Sequence, residues 1–82
     1  MKNLDKTYDG LLEITEDATL GGMVNGDVIV MADVHLRVTG MITGDLILKP
    51  GATANGLGYG TVSGSIINEG GTATGFGLPD AM

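Results

Sequence analysis

One short phrase of alternating apolar and polar residues recurs along this chain, and each copy is centred on a glycine. Successive central glycines are 16, 18 and 20 residues apart, and apolar side chains stand two positions after each of them. Side chains two apart in a strand share one face, so each copy predicts a strand with one buried face. A repeat of this length is typical of a solenoid in which each copy forms one turn. The central glycines are Gly10, Gly26, Gly44 and Gly64.

Placing the copies under one another gives columns of similar residues. Apolar residues also recur every six positions from Val24 to Ala54, which indicates three short sides per turn. The sequence therefore predicts an all-β fold, a single-stranded parallel β-helix (β-solenoid) of about four turns with roughly 18 residues per turn. The columns are compatible with either hand. Counted from the glycine, the interior columns are Tyr8, Val24, Ile42 and Val62; Leu12, Val28, Leu46 and Ile66; Ile14, Val30, Leu48 and Asn68; Ala18, Val34, Ala52 and Thr72; and Leu20, Leu36, Ala54 and Thr74.

The whole chain, 1–82, is predicted to form a single domain. Pro50-Gly51 predicts a turn at a corner, and the extra residues of the third turn are expected to form a loop within 55–60. A domain of this size buries only about 60% of its unfolded surface, which favours oligomerisation. The predicted turns are 7–22, 23–40, 41–60 and 61–77, with short terminal segments 1–6 and 78–82.

Charge and composition exclude several classes of partner. The formal net charge is −6, and the four basic residues are scattered, which argues against binding to nucleic acid or anionic lipid. No apolar run approaches the roughly 20 residues of a membrane span, so we expect no membrane insertion. The absence of cysteine, and of an apolar signal region after Lys2, favours the cytoplasm.

The chain holds little that could perform catalysis. His35 is the only histidine and is expected to face solvent between two interior positions. The glycines of 56–60 fail the dinucleotide-binding spacing at Thr61. Asp27 and Asp45 are expected to stack at a bend, but two carboxylates supply too few oxygens for calcium. We therefore expect no enzyme activity, no catalytic residue, no metal and no cofactor.

An apolar ridge is predicted on the outer surface. Ile29, Ile47 and Ile67 lie between two interior columns, and Glu13 occupies the same position in the first turn. Strands stack about 4.8 Å apart, so these isoleucines would form a contiguous stripe, which often marks an interface. The alternative is a corner that turns them partly inward. On the first interpretation they are contacts for self-association or for a partner.

The acidic surface gives a second hypothesis. Asp27, Asp33 and Asp45 would face a basic protein partner, as in a toxin-neutralising immunity protein or antitoxin. The open ends of a solenoid also need covering, because their strands carry unpaired backbone groups. Phe76 and Leu78 could cover or join these ends, so both are candidate self-association residues.

The repeat resembles the bactofilins. The matching pattern is Val24-x-Gly26-Asp27-Val28-x-Val30, then 34–48 with Gly44-Asp45-Leu46, then Gly51-Ala52 and Val62-x-Gly64-x-Ile66. The resemblance covers about residues 8–77. It implies a right-handed β-helix that polymerises end to end, without nucleotide, into cytoskeletal scaffolds. It also implies that an aromatic residue near the last turn contributes to polymer contacts, and Phe76 is the nearest match.

The chain departs from that family in two ways, since it has about four turns where the family has more and lacks long terminal tails. The six-residue period is also similar to the hexapeptide repeat of left-handed β-helix acyltransferases, but only His35 is present to serve such an enzyme. The sequence thus predicts a small non-enzymatic, self-associating scaffold, with the acidic protein-binding module as the alternative.

Overall fold

The fold is a parallel β-solenoid of about four turns, spaced about 18 residues apart. The computed structural model describes residues 2–76, and for 57–59 and 76 it describes the backbone alone. Every element in that part of the chain is a strand. The strands are β1 (Lys2–Leu4), β2 (Thr7–Asp9), β3 (Leu12–Ile14), β4 (Ala18–Leu20), β5 (Met23–Asn25), β6 (Val28–Val30), β7 (His35–Val38), β8 (Met41–Ile42), β9 (Leu46–Leu48), β10 (Thr53–Val62), β11 (Ile66–Asn68) and β12 (Thr72–Phe76).

Three parallel sheets form the sides of the solenoid. Sheet A stacks β1, β4, β7, the start of β10 and β12. Sheet B stacks β2, β5, β8 and the end of β10. Sheet C stacks β3, β6, β9 and β11. The chain visits each sheet once per turn, so every strand pairs with a strand about one turn away.

The register of sheets B and C confirms the corresponding predicted columns. Val24 lies between Tyr8 and Ile42, and Val28 lies between Leu12 and Leu46. These columns point inward, and Val24, Val28, Ile42 and Leu46 are each 0% exposed. Alternation of side chains along three-residue strands is therefore enough to build the core.

The predicted register of sheet A is confirmed for Leu36 and Ala54 and is wrong in the first and last turns. In the last turn Ala54 pairs with Ala73 rather than Thr74. Ala18 pairs with Leu36 rather than Val34, and Leu20 pairs with Val38 rather than Leu36. The first turn is two residues shorter than the second, and it loses those residues at the corner between sheets C and A. Four positions separate Ile14 from Ala18, whereas six separate Val30 from Leu36. The predicted columns assume a constant distance from the glycine, so the shorter corner of the first turn shifts its sheet A residues by two positions.

The corner after sheet C depends on unusual backbone conformations. Asp33 has a φ of 62°, and Gly51, which follows Pro50 at the predicted turn, has a φ of 81°. Gly70 has a φ of 113° at the corner of the last turn. Left-handed φ values are costly for most residues, which explains the glycines and the turn-tolerant aspartate at this corner.

The third turn absorbs its two extra residues without a separate loop. β10 is one strand from Thr53 to Val62, with sheet A register at Asn55 and sheet B register at Thr61. Six positions separate those two residues, whereas four separate their partners Arg37 and Met41. The loop expected within 55–60 is therefore an irregular stretch of extended backbone.

Candidate self-association surfaces

The outer surface of sheet C carries the predicted isoleucine ridge. Ile47 pairs in register with Ile29 below it and with Ile67 above it, while Glu13 pairs with Ile29 in the first turn. Ile29 and Ile47 are half-buried, and Ile67 is 40% exposed. The isoleucines thus stack as predicted and present an apolar stripe to the surface, with Ile67 its most exposed member. We call this column, together with the residues two positions before and two positions after each of its members, the isoleucine face.

One side of the isoleucine face is bordered by carboxylates with a structural role. Asp27 Oδ1 accepts a hydrogen bond from the backbone N–H of Asp45 at 2.8 Å, and Asp45 Oδ1 accepts one from the N–H of Ser65 at 2.9 Å. Each bond joins one turn to the next at a corner. The carboxylates predicted to face a partner therefore also stabilise the stack.

The opposite side of the isoleucine face carries an ion pair. Lys49 Nζ lies 3.1 Å from Glu69 Oε1, and their side chains are 38% and 46% exposed. At that exposure an ion pair contributes little to stability, so both groups remain available to a partner. The face therefore combines a central apolar stripe, acidic residues on one side and a Lys–Glu pair on the other.

The other predicted contacts fall at scattered places. Asp33 occupies the left-handed corner after sheet C, one turn below Gly51, and is exposed. Phe76 is the last residue of β12, where its backbone pairs with Gly60. Leu78 lies outside the described residues. The structure therefore groups the isoleucines with Asp27 and Asp45, and it does not bring Asp33 into that group.

The N-terminal end of the solenoid has a small concavity with a mixed apolar and charged lining. A cavity of about 50 Å³ opens beside β1 and β3, between the first strands of sheets A and C. Its apolar lining residues are Leu4, Leu12, Ile14 and Ala18, and its charged ones are Lys2, Glu13 and Glu16. Core residues thus continue to the end of the stack, and no described strand lies beyond them.

The C-terminal turn ends the core differently. Asn68 takes the column position held by Leu48 in the turn below, yet it is exposed. Its Oδ1 accepts hydrogen bonds from the N–H groups of Gly70, at 3.0 Å, and Gly71, at 2.6 Å. A polar side chain here satisfies corner amides, and Ile66 and Ala73 remain half-buried around it.

The two end strands of sheet A have complementary backbone edges. In β1, the backbone N–H of Lys2 donates to the C=O of Asp17, and the C=O of Leu4 accepts from the N–H of Gly21. Lys2 and Leu4 therefore bond to β4, and the N–H and C=O of Asn3 between them point to the outer edge. In β12, Thr72 donates to Ala52 O, so the alternating pattern points Ala73 outward at the other end. No described strand of residues 2–76 lies on either edge.

Neither the strand β1 nor the polar corner at Asn68 was predicted from the sequence. The polar amide of Asn68 within an aliphatic column was a visible signal that the core ends there. β1 gave no such signal, because Lys2–Leu4 carries no copy of the repeat and is a strand only through pairing with β4.

The chain matches no protein-family model, no curated protein and no solved structure. Its class therefore comes from the fold alone, which is a parallel β-solenoid. Within residues 2–76, no helix is long and apolar enough to cross a membrane. The same residues hold no cluster of three or more His, Asp or Glu side chains that would hold a metal ion.

Proposed function

We propose that this protein is a small, non-enzymatic structural module of the cytoplasm that stacks through its end turns into a bactofilin-like scaffold. The observation that carries this proposal is the pair of complementary edges at Asn3 and Ala73. Open strand edges template pairing with another chain unless they are blocked. Neither described edge carries proline or a bulge at the residue whose backbone groups point outward.

The register of sheet A supports the stacking of one copy on the next. Lys2 begins a column that continues through Ala18, Leu36, Ala54 and Ala73. If β1 of a second copy continues this column above β12, its Lys2 lies over Ala73. The C=O of Ala73 then accepts a hydrogen bond from the N–H of Asn3 in the second copy, as in the pairs within the solenoid.

The same stacking covers apolar surface at both ends. In sheet C, Leu12 of the second copy lies over Ile66 of the first, and both side chains are half-buried in the single chain. Contact with a second copy would complete their burial and cover the apolar part of the cavity beside Leu4, with the charged lining residues Lys2, Glu13 and Glu16 at its rim. Burial of apolar area is the main favourable term in association.

Charge favours a head-to-tail arrangement. The described N-terminal turn carries Asp5, Asp9, Glu13, Glu16 and Asp17 against Lys2 and Lys6, whereas Glu69 at the C-terminal turn is already paired with Lys49. Two N-terminal ends would bring like charges together. An N-terminal end on a C-terminal end avoids this repulsion, and the resulting contact does not close on itself.

The proposal is tested by blocking the edge at Asn3. Asn3→Pro removes an N–H that points outward, so the bonds from β1 to β4 are retained, while the bond to the next copy is lost. Asn3→Ala keeps the N–H and is the matched control. We expect Asn3→Ala to form oligomers like the unmodified chain and Asn3→Pro to shift toward monomer in light scattering. Equal assembly of all three proteins would contradict end stacking through sheet A.

A further inference from the structure

We propose that the isoleucine face binds the same face of a second copy about a twofold axis parallel to the solenoid axis. This inference rests on the proposed self-association and adds a lateral contact to the end contact. The evidence is the arrangement of charges on the two sides of the apolar stripe.

The isoleucine face has three columns. Its central column consists of Glu13, Ile29, Ile47 and Ile67. The second column lies two residues before the central column. It consists of Asp27 and Asp45, with Leu11 and Ser65 in the first and last turns. Two residues after the centre stand Lys49 and Glu69, with Thr15 and Met31 below them.

With a twofold axis parallel to the solenoid, each turn of one copy faces the same turn of the other. The column before the central isoleucines in one copy then faces the column after them in the other. Asp45 of each copy then faces Lys49 of the other, which gives two ion pairs across the interface. Ser65 faces Glu69, and Asp27 faces Met31. Each isoleucine of the central column meets the same residue of the second copy, so the apolar stripe is covered along its length.

A twofold axis along the strands gives a less favourable contact. It reverses the order of the turns and keeps each of the two flanking columns opposite itself, so that Asp27 faces Asp45 twice. Directly opposed like charges are destabilising. It also sets Glu13 against Ile67, which buries a carboxylate on apolar surface. The parallel axis opposes one like pair, Glu13 with itself, but it adds two Asp45–Lys49 pairs and avoids the two Asp27–Asp45 contacts. The charge pattern therefore favours the axis parallel to the solenoid.

The size of the face links lateral pairing to end stacking. At ~3.3 Å per residue and ~4.8 Å per strand, the three columns and four turns span roughly 13 by 14 Å. The area of the face, about 180 Å², is well below the roughly 800 Å² that each partner buries in a stable interface. One pair of copies would hold together weakly, whereas stacked copies would present many such faces and pair by avidity.

Site-directed cross-linking tests the geometry. The chain has no cysteine, so Ile47→Cys introduces a single thiol into the central column. With a short bismaleimide, we expect Ile47→Cys to cross-link to itself faster than Arg37→Cys, whose side chain is exposed on sheet A. Ile67→Cys repeats the test at a more exposed position of the stripe.

Charge variants in the Ile47→Cys background identify the axis. Lys49→Glu is expected to slow cross-linking by about fivefold, because two weak ion pairs become repulsive. Glu13→Gln is expected to accelerate it, because the parallel axis sets Glu13 opposite itself. Far-ultraviolet circular dichroism of each variant checks that the fold is retained.

Two results would overturn the inference. Ile47→Cys cross-linking no faster than Arg37→Cys would remove the isoleucine face from self-association. A mixture of Ile29→Cys and Ile47→Cys that cross-links faster than either alone would show the axis along the strands. Light scattering of the Asn3 variants measures end stacking independently of cross-linking. Loss of the end contact would change the Asn3 result alone, and loss of the lateral contact would change the cross-linking result alone.

Discussion

The carboxylate of Asp27 accepts a hydrogen bond from the backbone N–H of Asp45, one turn further along the solenoid. Asp45 does the same for Ser65, so one side-chain type supports the same corner in successive turns. At this corner the backbone N–H points toward the turn below, where the side chain supplies the acceptor. The repeated Gly-Asp pair is therefore a structural unit of the repeat, in which Oδ1 of each aspartate makes the bond between turns.

Substitution of Asp27 tests this role. Asp27→Ala removes the acceptor and is expected to lower the free energy of unfolding by about 1 kcal/mol, the usual contribution of one hydrogen bond. Asp27→Asn keeps an oxygen at the same position and should remain close to the unmodified chain. Urea denaturation followed by circular dichroism measures both. Equal losses in the two variants would show that charge, rather than the acceptor, matters.

Gly44 is expected to tolerate no side chain. A Cβ there would lie 2.6 Å from Gly26 O and would also overlap Asp27 Oδ1. Gly44→Ala must displace this corner and is expected to cost about 1–3 kcal/mol. Gly21→Ala is the matched control, because its Cβ would meet only Thr39 Oγ1 at 3.4 Å. A Gly44→Ala variant as stable as Gly21→Ala would mean that the turns are further apart than the structure shows.

Asp33 is expected to respond to backbone conformation. Its φ of 62° lies in the left-handed region, where a β-branched residue is strained. Asp33→Val should cost about 1–2 kcal/mol, whereas Asp33→Gly should be neutral or slightly stabilising. Thermal denaturation of the two variants gives the comparison. The opposite order would indicate that the carboxylate is more important than the conformation.

Aspartate on opposite faces of sheet C is expected to have opposite effects. Val28 is 0% exposed, so Val28→Asp would bury an unpaired charge and unfold the chain. Ile47 is half-buried on the outer surface, so Ile47→Asp should keep the fold and weaken association. Circular dichroism and light scattering distinguish these outcomes. A native strand signal in Val28→Asp would contradict the observed register.

Sheets B and C could be predicted from the sequence because their strands flank the repeated glycine at a constant distance. Leu12, Val28, Leu46 and Ile66 each stand two residues after it, and all four occupy one column. The same alternation predicts that the three isoleucines stack in one column, which the register of sheet C confirms. Strand periodicity is a local property, so the columns of these two sheets follow from the sequence, although Asn68 in the last turn is exposed rather than interior.

Sheet A and the ends could not be predicted in the same way. The register of Ala18 depends on how many residues the preceding corner uses, and hydrophobic alternation does not encode corner length. β1 is a strand only because β4 provides an edge for it, which is a non-local cause. The interface roles of Ile29, Ile47, Ile67, Asp27, Asp33 and Asp45 stay predictions, since they depend on a second molecule.

The solenoid has open ends in the described residues, and we propose that these ends stack on one another. Light scattering behind a sizing column, over a wide range of protein concentration, tests it most directly, with negative-stain microscopy of the same fractions. Stacking predicts a mean mass that rises continuously with concentration and elongated particles without a fixed length. A single monomeric or small closed mass at every concentration would contradict the account and would favour the acidic protein-binding module instead.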